Sequence, residues 1–342
     1  MASQFVYNLS SLVKILTPSV LTRARTESKI TKFLASLDSK EYEGFASRLR
    51  LYHRVCAPFS IAPLSDTAPS TYERLGTYPP HYGSIKESYK WRRFSTYHYD
   101  MRSYARYFDE NLKVYYGFGD VNYYFTQPSI TKSRPISESN QNSIVLKLEQ
   151  NRHFTFIKDS YTFSEKQDRI FFRGACYQEH RSRFLEQFFD APFCDIGHTG
   201  SKSVHTQYLK PKVSIAKHLP YKFLLSLEGN DVASNLKWVL SSNSLCMMPR
   251  PKYETWFMES TLVPNVHYCE IAEDYSDVEE KFRFFCANPK VAQEIIHNAH
   301  RFCEQFYDTN AEEALNILVL RKYFYLSGQI DITKQERDFF GL

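Results

Sequence analysis

Hydrophobic and polar positions divide this chain into two regimes. After Phe163, short apolar runs alternate with amphipathic stretches. RIFFRG (169–174) predicts a strand and EHRSRFLEQFF (179–189) a helix. KFLLSLEG (222–229), DVASNLKWVLSS (231–242), SLCMMP (244–249) and VHYCEIA (266–272) continue the alternation, as a βαβ domain does. Before that point the pattern is less regular. Residues 1–60 read mostly as helix, and 61–95 are rich in Pro, Ser and Tyr, as ordered loops are. VYYGFGDVNYYF (114–125) is a strand that breaks at Gly117 and Gly119, and KSRPISESNQNSIVLKL (132–148) is a loop leading into a strand. A boundary therefore falls near residue 160. Asn288 and Pro289 open a helix as cap and first-turn proline. Val291, Ile295, Ala299, Phe302 and Phe306 give it an apolar stripe with Ile296 beside it, and a last amphipathic helix is predicted from about Ala311 to Ser327.

Length agrees with this division, since 342 residues are long for one core and comfortable for two. The composition, 43% hydrophobic and 24% charged, is that of a folded protein. Aromatics reach 16%, enough for deep cores and for surfaces on which a sugar or base could stack. The net charge of +5 suits anionic ligands, but the basic residues are scattered, which argues against a nucleic-acid partner. Seven cysteines without a CxxC pair point to free thiols in a reducing compartment and not to a zinc site. The first thirty or so residues hold no membrane-spanning run and no secretory pattern, so a cytoplasmic protein is expected. There Lys14, Arg23, Arg25, Lys29 and Lys32 interleave with Leu12, Val13, Ile15, Leu16 and Leu21. That is either a packed helix with a wet basic face or a peripheral contact with anionic lipid.

Chemistry is expected at the carboxyl ends of the strands, where open α/β sheets bind ligands. Two strand ends carry polar residues: Arg173-Gly174, and Glu228-Gly229-Asn230-Asp231. Val232, Leu236, Val239 and Leu240 fall at helical spacing, so Asn230 or Asp231 would cap a helix there. The amides of Ala233, Ser234 and Asn235 would then face outward at its positive end, a place for phosphate or simply an ordinary capped helix. Arg173 is either a phosphate clamp or half of an ion pair. Arg181, Arg183, Lys222 and Lys237 are further cations. DxD, GxxxxGK[ST], GxGxxG and GxSxG are all absent, which argues against a metal-clamped donor, a P-loop, a dinucleotide enzyme and a hydrolase elbow. His198 with His205, and His297 with His300, lack a third partner for a metal. What is left is a metal-free anion site made of amides, Arg and Lys.

Several of these segments, in order, resemble glycosyltransferase family 90, and within it the bacterial lipopolysaccharide core branch. They are VYYGFGDV, TKSRPI, SIVLKL, RHFTF, FFRG, YKFLLSLEGNDVASNLKWVLSSNSL, PKYETWFMESTLVPNVHY and NPKVAQEIIHNAHRF, spread over roughly residues 110–325. The resemblance implies an α/β GT-B fold: two Rossmann-like domains facing a central cleft, with a C-terminal helix crossing back to the N-terminal domain. Residues 1–160 would bind the acceptor, 161–310 the UDP-sugar, and 311–342 would pack back on the first domain. It implies inverting, metal-independent transfer of glucose or galactose to a lipopolysaccharide inner-core heptose, at the inner face of the inner membrane. No cofactor is implied beyond the UDP-glucose or UDP-galactose donor, and the acceptor would be a lipid-anchored oligosaccharide. The same chemistry on capsule or another surface glycan, and a non-catalytic carbohydrate-binding protein, are the alternatives.

By motif, the resemblance makes Asp120 the catalytic base, where the residues alone read as a Gly-Asp turn; Asp100, Asp159 and Glu149 stand in reserve. Arg173 would contact the diphosphate with Gly174 and Arg181 nearby, and Lys222 and Lys237 would supply charge. Gly229, Ala233, Ser234 and Asn235 would form the helix-start cradle, and Glu254 would complete the donor site. Glu228 would hold a ribose or sugar hydroxyl, or orient Lys222.

Overall fold

The structure is a computed structural model that describes residues 22–66, 68–69, 71–88 and 96–342. Of the basic N-terminal stretch, Lys14 and its apolar neighbours through Leu21 lie outside the described residues. The elements, in chain order, begin with α1 (Thr26–Ser36), α2 (Ser39–Tyr52), β1 (Thr77–Tyr78), β2 (His81–Ser84) and α3 (Ile85–Ser88). Next come α4 (Thr96–Ala105), β3 (Lys113–Gly117), β4 (Tyr124–Phe125), β5 (Ser129–Thr131), β6 (Ser133–Pro135), β7 (Ser143–Val145) and α5 (Gln150–His153). They are followed by β8 (Gln167–Gly174), α6 (Glu179–Phe188), β9 (Cys194–His198), β10 (Tyr221–Leu225), α7 (Leu236–Leu240), β11 (Leu245–Met248) and β12 (Tyr253–Thr255). The chain finishes with β13 (Cys269–Glu270), α8 (Val278–Ala287), α9 (Pro289–Glu304), α10 (Thr309–Leu326) and α11 (Lys334–Phe340).

These elements form two compact units. One takes in the residues up to Arg152 together with Tyr253–Met258 and Phe306–Leu342; the other is His153–Lys252 with Glu259–Gln305. The second unit is built on a parallel five-stranded sheet in the order β13-β11-β10-β8-β9. Strand β8 lies inside it, so Ile170, Phe171 and Phe172 are all buried, as a strand covered on both faces requires. On one face Phe172, Ile196, Phe223, Leu225 and Met247 pack with Phe184 of α6, Phe285 of α8 and Ile295 of α9.

Helix α9 starts with Asn288 at its cap position and Pro289 at its first turn. Its buried stripe is Ala292, Ile295, Ile296, Ala299 and Cys303. Val291, expected on that stripe, is exposed, and Phe306 lies beyond the helix in the first unit. A helix of 3.6 residues per turn drifts off a set spaced three and four apart when the set is anchored one residue early.

The first unit holds a four-stranded sheet in the order β2-β3-β5-β7, antiparallel at β2–β3 and parallel beyond it, with the small pairs β1–β4 and β12–β6. Its central helix is α10, and here the amphipathic expectation is corrected. Fourteen of its 18 residues are buried, including Glu312, Arg321 and Lys322. The charges are tolerated because each has a partner. Glu312 meets Arg48 at 2.5 Å and Lys147 at 3.0 Å, Arg321 pairs with Glu336, and Lys322 Nζ donates to the His53 carbonyl. The Tyr253–Met258 segment is fixed to the same network. Trp256 stacks on Tyr52 at 3.7 Å and donates from Nε1 to Glu312 Oε2 at 2.6 Å.

All seven cysteines carry free thiols. Among the described residues no helix is long and apolar enough to cross a membrane, and no three His, Cys, Asp or Glu side chains cluster as metal ligands would.

Candidate active site

In the second unit the chain runs from β8 to β9 on one side, then returns to lay β10, β11 and β13 on the other. The carboxyl ends of β8 and β10 therefore flank the point where strand order reverses, the usual ligand crevice of an open α/β sheet. Gly174 ends β8, where an added Cβ would come within 2.5 Å of the Phe172 ring. Arg181, one turn into α6, holds the two lips of the crevice together. Its guanidinium donates to the carbonyls of Ala175 at 2.7 Å, Leu227 at 2.6 Å and Glu228 at 2.8 Å. Gln178 joins Asn230 across the same gap at 3.0 Å, and His180 Nε2 lies 2.8 Å from the Glu228 carbonyl oxygen. The exposed ring of Tyr177 stands at this edge, and its hydroxyl accepts the Ser201 N–H at 2.6 Å. These contacts give the crevice a fixed backbone shape.

Several predicted donor residues stand elsewhere or in other roles. The helix expected over 231–242 is only the five residues of α7, starting at Leu236. Neither Asn230 nor Asp231 caps it. Asn235 sits at the cap position with its side chain turned back to the strand, donating to the Leu225 carbonyl at 3.0 Å and accepting from Ser226 Oγ at 3.1 Å. One turn of helix concentrates little dipole, so the predicted cradle at Ala233, Ser234 and Asn235 is corrected to a bent loop with Asp231, Val232 and Ala233 buried and Ser234 half-buried. The Gly229 N–H donates to the Asp231 carbonyl at 3.0 Å.

Lys237 is fully buried and pairs with Glu259 at 2.6 Å. Lys222 pairs with Asp168 at the amino ends of β10 and β8. Glu228 follows the carboxyl end of β10, and at about 3.3 Å per residue the strand keeps the two far apart, so Glu228 does not orient Lys222. The Glu228 carboxylate instead accepts the Lys252 N–H at 2.9 Å. Glu254 lies in the first unit on β12, fully buried against Arg134 at 2.7 Å and Arg54 at 3.0 Å. Its carboxylate ties Arg134 and Arg54 together within the first unit.

Arg173 occupies the sheet face opposite the Phe172 side. Its Nη2 pairs with Asp195 at 2.6 Å, Nη1 donates to the Asp195 carbonyl at 2.8 Å, and the guanidinium lies 4.4 Å over the Phe171 ring. Burial pushes the Asp195 carboxyl up, but Arg173 and Tyr221 outweigh it and hold it below the ordinary carboxylate value. A diphosphate contact by Arg173 would have to displace this carboxylate. Asp195 was not legible because it belongs to another strand, although a polar residue inside CDIGH, an otherwise buried strand, was a signal.

In the first unit, β3 ends at Gly117, the chain turns at Gly119 with φ +125°, and Asp120 follows, its side chain 31% exposed. Lys132, only 1% exposed, meets Asp120 Oδ1 at 2.9 Å and Glu149 Oε2 at 3.4 Å. Glu149 also accepts from Tyr97 OH at 2.8 Å and from Arg152 at 3.2 Å. Burial raises the Tyr97 phenol above its usual value, so it stays a neutral donor. Of the reserve carboxylates, Glu149 therefore joins Asp120. Asp100 instead accepts the Gln150 N–H at 2.8 Å at the start of α5, and Asp159 ties Lys166 at 2.7 Å to the Asn243 N–H at 2.9 Å. Lys132, Tyr97 and Arg152 were missed, since nothing in sequence spacing brings together the link between β5 and β6 and the helices α4 and α5. Three of the four histidines weighed as metal ligands make hydrogen bonds within the fold, and His297 is exposed. The Cys176 N–H donates to His198 Nδ1 at 3.0 Å, His205 meets Ser182 at 2.9 Å, and His300 meets the Ser242 carbonyl at 2.8 Å.

A parallel sheet with a shaped switch-point crevice, and a lysine-held carboxylate on a glycine turn, are features of a group-transfer enzyme. Residues 149–326 match the sequence signature of Glycosyl transferase family 90. O-glucosyltransferase LpsA of Dichelobacter nodosus is 39% identical over 280 residues, 82% of each chain. Protein O-glucosyltransferase 1 of Homo sapiens and of Rattus norvegicus are 27% identical over 151 residues, 42% of this chain and 38% of theirs. The chain belongs to glycosyl transferase family 90 and is a glycosyltransferase. Arg173, Arg181 and the crevice lie inside the matched stretch; Asp120 and Lys132 precede it.

Proposed function

We propose that this chain transfers a hexose, glucose or galactose, from a UDP-sugar to heptose in the inner core of a lipopolysaccharide, with inversion and without a metal. Asp120 carries the reading. A partly exposed carboxylate on a fixed turn, oriented by a buried ammonium 2.9 Å away, suits a general base. The proton of the acceptor hydroxyl goes to Asp120 while its oxygen bonds to the anomeric carbon. The bond from that carbon to the β-phosphate oxygen breaks, and UDP leaves with the electron pair. Attack on the side opposite UDP inverts the centre.

The reading gives residues 1–160 the acceptor and 161–310 the donor, in a GT-B enzyme whose last helix belongs with the first domain. The donor is assigned to the switch-point crevice, with Gly174, Gly229 and Ser234 on its lips and Arg181 holding them in place. The half-exposed Tyr116 at the end of β3 and Phe118 just beyond it, their rings 5.0 Å apart and leading toward Asp120, suit stacking of an acceptor sugar. Glucose is favoured as the sugar by the name of the Dichelobacter relative. The exposed Arg25 just before α1 and Lys32 within it suit contact with an anionic lipid at the inner face of the inner membrane, where the acceptor would be anchored.

A panel of UDP-sugars with core oligosaccharide, read by UDP release and product linkage, tests the proposal. UDP-glucose or UDP-galactose should turn over, with EDTA leaving the rate unchanged. Binding without UDP release would leave a carbohydrate-binding protein, and loss of activity in EDTA would sink the metal-independent mechanism.

A further inference from the structure

The cluster around Lys132 has more charge than positioning one carboxylate needs. Lys132 sits between β5 and β6 with its side chain almost wholly buried, so its ammonium must be paired. It has two carboxylate partners of different character. Asp120 is partly exposed; the Glu149 side chain is only 10% exposed, receives Tyr97 and Arg152 as well, and holds a backbone φ of +57°. A left-handed glutamate is unusual and persists only where its surroundings fix it. Among the described residues, the charged groups around Asp120 include the cations Lys132 and Arg152 and the anion Glu149, with the neutral phenol of Tyr97 beside them.

Resting on the reading of Asp120 as the base, we infer that Lys132 and Glu149 are positioning residues that set its proton affinity in opposite directions. Lys132 orients Asp120 and keeps it ionised. An ammonium facing Asp120 alone would also weaken it as a base, because an opposite charge at this range stabilises the carboxylate. Glu149 divides the ammonium's field and adds a like charge of its own, returning basicity to Asp120. The proton leaving the acceptor hydroxyl therefore arrives at a carboxylate that is ionised and still able to take it.

The test is the pH profile of UDP release from UDP-glucose, with water as acceptor, followed from neutral into acid. Activity needs the carboxylate form. Lys132→Met removes the stabilising cation, raises the proton affinity of Asp120, and should move the acid limb up by about 1 pH unit. Glu149→Gln removes the carboxylate that competes with Asp120 for the ammonium and should move the limb down. Lys132→Arg and Glu149→Asp keep the charges and should hold the limb at the wild-type position. A purely structural role would lower the rate at every pH without moving the limb. Limbs that stay in place, or move the same way in both neutral variants, overturn the inference. Should Lys132→Met fail to fold, the comparison of Glu149→Gln with Glu149→Asp decides it. Asp120→Asn separates the two levels: retained turnover removes the base reading itself, whereas abolished turnover with unmoved limbs removes only the tuning.

Discussion

Arg173 shows what one guanidinium can be asked to do. Its fork faces Asp195, and the pair lies on the Phe171 ring at the end of the strand that leads into the crevice. If Arg173 turns to the donor diphosphate, two substitutions should act oppositely on UDP affinity measured by calorimetry. Arg173→Ala should weaken binding by about 1.5–3 kcal/mol, the worth of a hydrogen bond to a charged group. Asp195→Asn should tighten it, because the competing carboxylate is gone. Unchanged affinity in both variants would leave Arg173 as a strut. Arg173 was visible because it follows an apolar run at a strand end, whereas Asp120 was visible as a base only through the family resemblance, the residues alone reading as a Gly-Asp turn. The sequence did not make Lys132 and Asp195 visible, because their meaning lies in a partner 12 or 22 residues away that no periodicity connects.

At the scale of elements, alternation of apolar runs made the parallel sheet legible, since buried strands are continuous hydrophobic runs. Helix α7 was misjudged in length. Apolar Val232 extended the spacing backward, yet Asn235 holds the Leu225 carbonyl, which fastens the preceding loop to the strand. Helix α10 was misjudged in its surroundings. Its charged residues looked like a wet face, but Arg48, Lys147 and Trp256, drawn from three other segments, surround Glu312 inside the unit. Removing that charge leaves two buried cations without their counter-ion. Glu312→Gln should therefore cost about 3–5 kcal/mol in denaturant unfolding. The exposed Arg283–Glu279 pair of α8 is the control, and Glu279→Gln should cost about 0–1 kcal/mol. Equal effects would mean that the network around Glu312 carries no special weight.

Each of the two units holds a buried histidine kept from charging. Burial lowers His53 in the first unit, with Lys322 adding to the effect, and burial lowers His218 in the second. The unfolded chain then takes up protons that the native state does not bind. Stability should be full above the ordinary histidine value of about 6.5 and fall below it, by at most about 1.4 kcal/mol per pH unit for each group. Thermal midpoints measured from neutral to mildly acid pH should show this decline, and a flat profile would mean that neither histidine is excluded from water. The change in pattern near residue 160 lies close to the first division between the units, after Arg152. The return of Tyr253–Met258 to the first unit was not legible, because it depends on Trp256 finding Tyr52, a contact across 204 residues.

That return, and the later one at Phe306, set an order on biosynthesis. The first unit is made of three separated stretches of chain, and its central helix α10 is translated only after every strand of the second. On the ribosome, the residues up to Arg152 must wait, their sheet lacking its helix, while the second unit completes itself. The early stretch is thus the one exposed longest to chaperones and proteases, and a chain interrupted before α10 delivers a finished second unit joined to an unfinished first.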